Sequence, residues 1–145
     1  MPFVEVFATA TREDQRAAIC ERLVGEVMNA EGAQDSESAR AISWLVWHDV
    51  AAWSVGGRPP KASEPPRDVV RVSVPAGSMN DQKRSEMVRR VTTVLAEVDD
   101  DPDRMANEPV AWVDITEVPE GNWGALGRVV TFPEIAEYVL TGAIG

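Results

Sequence analysis

Residues 44–50 read WLVWHDV and residues 112–118 read WVDITEV. The two stretches resemble one another, and the likeness runs outward in both directions. Downstream, WSVGGR (53–58) is answered by WGALGR (123–128). Upstream, TREDQR (11–16) is answered by SMNDQK (78–83). Ahead of those hexads, Val4, Val6 and Ala8 alternate with other residues, as do Val70, Val72 and Val74, which is the period of a strand. Behind them Cys20, Val24, Val27 and Met28 recur at helical spacing, with Ile19 and Leu23 alongside, and Met87, Val91, Val94 and Leu95 take the matching places. The chain is therefore written twice as strand, helix, strand. The pseudo-repeats are 1–58 and 68–131, and the linker 59–67 lies in GGRPPKASEPPR, which neither a helix nor a strand accepts.

Local signals set the element ends. Thr11 three residues before Asp14, and Ser78 three before Asp81, predict helix starts of capping-box type. Gly32 predicts the first helix stop. The second strand is expected over about Ile42–Asp49, and a short closing helix over 133–141. Each β-α-β unit makes a parallel strand pair through a right-handed crossover. Two such units predict an α/β (α+β-like) single domain, 1–145: one four-stranded mixed sheet, two helices on one face, and a short C-terminal hairpin or helix. The other face stays uncovered, with Trp112, Asp114, Thr116, Arg71 and Ser73 on it. Such a mixed face predicts packing against further copies of the chain.

Composition narrows the function classes. A net charge of −10 disfavours nucleic acid, whose binding needs clustered cations. Only Lys61 and Lys83 are available for Schiff-base chemistry, against twelve arginines suited to carboxylates. The single cysteine, Cys20, excludes an internal disulfide and reads as core on its helix stripe. No apolar run approaches a membrane span, and no secretory signal is visible at the start, so a cytoplasmic protein is expected. His48 and Asp49 are strand neighbours facing opposite ways, and EVDDDPDR (97–104) lacks the glycine and closing glutamate of a calcium loop. No metal or organic cofactor is implied.

The first residues, MPFVEVF, leave two readings open. Pro2 either starts an edge strand or, once Met1 is removed, becomes a free secondary amine on a rigid element. With Pro2, Arg12 ahead of the first helix, EVPEGNWGALGR (117–128) and the duplicated order in view, the chain resembles the tautomerase superfamily. The likeness is to its 4-oxalocrotonate tautomerase-like long form, with two fused β-α-β units. The resemblance implies a homotrimer in which the amino-terminal proline moves a proton on enol, keto or halogenated carboxylic acids. An α-amino group titrates near ~8, and apolar burial or nearby arginines lower that value, so a neutral base at pH 7 is chemically reasonable.

On this resemblance Pro2 is the expected catalytic base, Arg12 the expected holder of a substrate carboxylate, and Trp123 an apolar wall. Arg128 and Asp114 are further expected substrate contacts. Trp53 and Arg58 are the first-half counterparts of Trp123 and Arg128, and packing or salt bridges account for such residues equally well. The chain also departs from the pattern. Trp44 and Trp112 stand where the isomerase branch has a second arginine, and VPAGSMND (74–81) lacks the dehalogenase arginines. Asp114 and Ala125 replace that branch's water-activating tyrosine and glutamate. The expected activity is a cofactor-independent tautomerase acting on a small enol or keto acid. The alternatives are a decarboxylase or hydratase using Pro2 as acid, and a non-catalytic trimer.

Overall fold

The computed structural model describes residues 2–143. In chain order the elements are β1 (Phe3–Thr9), a 3₁₀ turn (Ala10–Gln15), α1 (Arg16–Glu31), α2 (Glu37–Ala41), β2 (Trp44–Val50), β3 (Asp68–Pro75), α3 (Asp81–Glu97), α4 (Arg104–Asn107), β4 (Ala111–Val118), β5 (Gly124–Ala125), β6 (Arg128–Val129) and α5 (Phe132–Thr141). The main sheet has the order β2-β1-β3-β4. β1 pairs β2 in parallel, β3 pairs β4 in parallel, and the two units join antiparallel through β1 and β3. This is the mixed sheet that two tandem β-α-β units require.

Alternation sends Val4, Val6 and Ala8 of β1, and Val70, Val72 and Val74 of β3, to the helix side, where all six are fully buried. Val4 lies across from Val72 and Val6 from Val70. Over them pack Ile19, Leu23 and Val27 of α1 and Met87, Val91, Val94 and Leu95 of α3. Each such side chain contributes about 1.5–3 kcal/mol on burial. The helices also meet at their surfaces, through Arg90–Glu26 at 2.7 Å and through Arg22–Glu97.

Four details differ from expectation. Thr11 lies inside the 3₁₀ turn, whose N-cap is Thr9, because the chain tightens before entering α1. Ser78 does not cap α3: its hydroxyl donates to the Pro75 carbonyl at 2.6 Å, while Asn80 accepts from the Lys83 amide at 2.8 Å. Cys20 is only half-buried, since Ile19 and Leu23 carry the buried line, and that partial burial raises its thiol pKa. Ile42 ends α2, an unforeseen helix capped by Ser36, so β2 begins at Trp44.

Gly32 ends α1 at φ 87°. At the C-terminal side, β5 and β6 form a hairpin whose two-residue turn has positive φ at Leu126 (56°) and Gly127 (71°). Thr131 and Glu134 make a reciprocal capping box that starts α5.

The other sheet face carries no covering layer. Trp44 and Trp112 are 66% and 67% exposed on it. Around them Arg71 pairs with Asp114 at 3.1 Å, and Phe7 stacks on His48 at 4.3 Å. Thr116 is exposed and Ser73 half-buried, as their strand positions require. Among the described residues no helix is long and apolar enough to cross a membrane.

Candidate functional site

Strand directions gather specific segments at each end of the sheet. The start of β1 shares an end with the start of β2 and the finishes of β3 and β4. Pro2 immediately precedes β1 and is buried. It has the same parity as Val4, which places its ring on the helix side. Extending the β1–β3 register by one residue sets Pro2 beside Val74. The removal of Met1, on which a free Pro2 nitrogen depends, lies outside the described residues.

A cleft of about 670 Å³ opens at this end. The finish of α1 (31–34), the turn after β3 (75–78) and α5 form its walls, and Lys83 lines it too. Asn80 caps α3 in a way that brings Lys83 back over the turn. Its Nζ donates to the Ser78 carbonyl and to the Glu31 carbonyl, each at 3.1 Å. No carboxylate among the described residues pairs with it. The ammonium is therefore anchored by two carbonyls and keeps one N–H for another acceptor. Glu31, 8% exposed, lines the same cleft. Phe132, Ile135 and Val139 supply an apolar wall from α5, which the Ser36 hydroxyl holds by donating to the Val139 carbonyl at 3.3 Å.

Arg12 sits elsewhere. It follows β1, so the strand separates it from Pro2 by about 20 Å within one chain. It is 3% exposed, with Nη2 3.0 Å from Asp68 and 3.5 Å from Asp99, and Arg104 reaches Asp99 at 3.1 Å. Burial drives the Asp68 carboxyl up to about 6, only partly opposed by Arg12. A cleft of about 400 Å³ beside this cluster carries Asp14, Glu64, Asp99 and Asp100 in its walls. Within one chain the charge of Arg12, the expected carboxylate holder, is matched by Asp68 and Asp99, and Arg12 and Arg104 share the cleft walls with Asp14, Glu64, Asp99 and Asp100.

The other candidates separate as well. Trp123 and Arg128 line a shallow cleft of about 590 Å³ along the hairpin. Arg128 pairs with Glu134 at 2.8 Å, which ties the hairpin to the first turn of α5 and holds the Glu134 carboxyl down at about 2. The Trp123 ring nitrogen is buried without an acceptor. Asp114 lies on the uncovered sheet face with Arg71, away from the Pro2 end clefts. Lys83, Glu31 and the apolar side of α5 were missed. One signal was available: Lys83 matches Arg16 in the paired hexads and is one of only two lysines. Among the described residues, no cluster of three or more His, Cys, Asp or Glu could hold a metal.

Residues 69–132 match the family model described as Tautomerase enzyme. A comparison with curated proteins finds no match. Among solved structures, a native fused 4-OT is 20% identical, with 97% of this chain and 99% of that chain covered and a TM-score of 0.63. A fused 4-OT wild-type asymmetric trimer called F6 is 17% identical, covering 88% and 94%, with a TM-score of 0.66. A cis-3-chloroacrylic acid dehalogenase family member called N1 is 17% identical, covering 93% and 87%, also with a TM-score of 0.66. At these identities the likeness to the solved structures is one of fold.

Proposed function

We propose that this chain is a member of the tautomerase superfamily and a cofactor-independent isomerase that moves a proton on a small enol or keto carboxylic acid, a reading supported by the family match over residues 69–132. Pro2 is the general base. As a neutral amine it takes a proton from the enol oxygen or from the carbon beside the carbonyl, and returns it at the other position. Lys83 holds the substrate carboxylate with its remaining N–H, the role expected of Arg12. Trp123 and Arg128 border the site through the hairpin that braces α5.

The observation that supports this reading is the position of Pro2, buried immediately before β1 at the same end of the sheet as the Lys83 cleft, whose lining residues do not include it. The test combines intact mass with turnover of an enolpyruvate-type acid. Loss of Met1 from the purified protein and a collapse of turnover in Pro2→Ala are expected. Retained Met1, or unchanged turnover in Pro2→Ala, refutes the reading. Retained Met1 would instead favour a non-catalytic protein, a reading that the internal pairing of Arg12 supports. Release of carbon dioxide or addition of water would reassign Pro2 as an acid.

The same proposal makes the assembly a homotrimer joined through the open sheet face, where Trp44 and Trp112 are largely exposed. Support comes from F6, described as a trimer.

A further inference from the structure

The open sheet face carries an ordered row of charge beside its two exposed tryptophans. Odd-numbered residues of β1 and β3 and even-numbered residues of β2 and β4 point to it. His48, Glu5, Arg71 and Asp114 consequently make a strip that crosses all four strands in the order β2-β1-β3-β4. His48 Nε2 is 3.3 Å from Glu5 Oε1, Arg71 Nη1 is 3.9 Å from Glu5 Oε2, and Arg71 Nε donates to Asp114 Oδ2 at 3.1 Å. Phe7 lies flat against the imidazole, with 4.3 Å between ring centres. No other residue of these four strands that faces this side is charged. Asp49, next to His48, faces the helix side and pairs with Arg16 at 2.6 Å. Two acids and one arginine leave the strip one net negative charge while the imidazole is neutral, and none once it is protonated. Histidine ordinarily changes charge between pH 5 and 8, and His48 is the single histidine of the chain.

We propose that this face is occupied by further copies of the chain and that protonation of His48 strengthens their association. This rests on the open-face assembly proposed above and adds a control to it. Symmetry brings the same strip from every copy to the shared interface. With neutral imidazoles, the copies bury like net charges against one another, which desolvation and repulsion both penalise. Burial alone disfavours an imidazolium, but it disfavours an unmatched carboxylate too, and each proton taken up removes one such imbalance. The proton also lies between the Glu5 carboxylate and the face of Phe7, both of which favour a cation. Charge complementarity points to another copy as the occupant. Signs alternate along the protonated strip, and its ends are opposite: His48 on edge strand β2 and Asp114 on edge strand β4. The β2 edge of one copy therefore suits the β4 edge of the next. Association then takes up protons and tightens as pH falls.

Sedimentation equilibrium of the full chain at pH 8 and pH 6 tests this. Wild type should associate about tenfold or more tightly at pH 6. His48→Gln should remove the dependence and hold the weaker association at both values. His48→Arg, a permanent cation whose planar group can lie on Phe7, should hold the tighter association at both. Asp68→Asn should keep the wild-type dependence, since the Asp68 carboxyl, which titrates at about 6, is buried on the helix side. Association that is intact but independent of pH, or weaker at pH 6, overturns the His48 control and leaves the assembly standing. A dependence that survives in His48→Gln, or vanishes in Asp68→Asn, also overturns that control alone. A wild-type chain that stays monomeric at both pH values overturns the assembly and the control together.

Discussion

Asp68→Asn should change how the stability of this protein depends on pH. The Asp68 carboxyl is 1% exposed, and burial raises its pKa from 3.8 to about 6 despite Arg12 at 3.0 Å. An acid whose folded pKa exceeds its unfolded pKa binds more protons when folded, between those two values. Its contribution to stability is therefore complete below pH 3.8 and is lost as pH rises through about 6. At 1.36 kcal/mol for each tenfold change, the loss amounts to about 3 kcal/mol by pH 7.5.

Asparagine has the shape of the protonated acid and does not titrate. The difference in unfolding free energy, wild type minus Asp68→Asn, should then fall by roughly 2.4 kcal/mol between pH 4 and pH 7.5. Urea titrations at a series of pH values measure it, and subtraction cancels carboxylates common to both proteins, such as Glu86 and Glu134, each held at about 2 by arginine partners. A difference that is flat, or that rises with pH, would refute the claim that burial outweighs the Arg12 attraction.

Three further outcomes are expected. Lys83→Met should raise KM for a carboxylate substrate roughly 10- to 150-fold with a smaller change in kcat, because one charge-assisted hydrogen bond is lost; steady-state kinetics decide it. Trp112→Asp should lower the oligomeric state by placing a charge on the open sheet face, visible in sedimentation velocity, and an unchanged assembly would remove that face from the interface. Leu126→Asn should stabilise the protein by about 1 kcal/mol, since asparagine tolerates the left-handed backbone that leucine is forced into at φ 56°; an unchanged or lower melting temperature contradicts this.

The sheet was legible because its two inner strands have one buried face each, and Val4, Val6, Ala8, Val70, Val72 and Val74 record it with period two. Repetition then supplied the strand pairing, since a β-α-β unit admits few topologies. Helix starts were less legible. Thr11 and Ser78 have the right chemistry for caps, yet caps are set by backbone geometry: Asn80 caps α3, and α1 follows a 3₁₀ turn and starts after Gln15 with no side-chain cap. The short α2 carries too few turns for a hydrophobic period to register.

Site residues were the least legible, for a physical reason. Arg12 and Lys83 are both cations near a helix start, and nothing local distinguishes an arginine that folds inward onto Asp68 and Asp99 from a lysine left without an acid. The deciding partners are 52 to 87 residues away along the chain. Asp114 was read correctly as a residue of the open face, where its neighbour is Arg71.

The duplicated architecture has a consequence for stoichiometry. Asp68 occupies, in the second unit, the position that Pro2 holds in the first, and its nitrogen is an amide committed to the Val110 carbonyl at 3.1 Å. Fusing the units into one polypeptide thereby forbids a terminal amine at that location, so under the proposed role of Pro2 each chain carries one amine end and one ion-locked end. On the proposed role of Pro2, a mechanism-based label that reacts only at its nitrogen would saturate at one equivalent per chain, however symmetric the backbone looks.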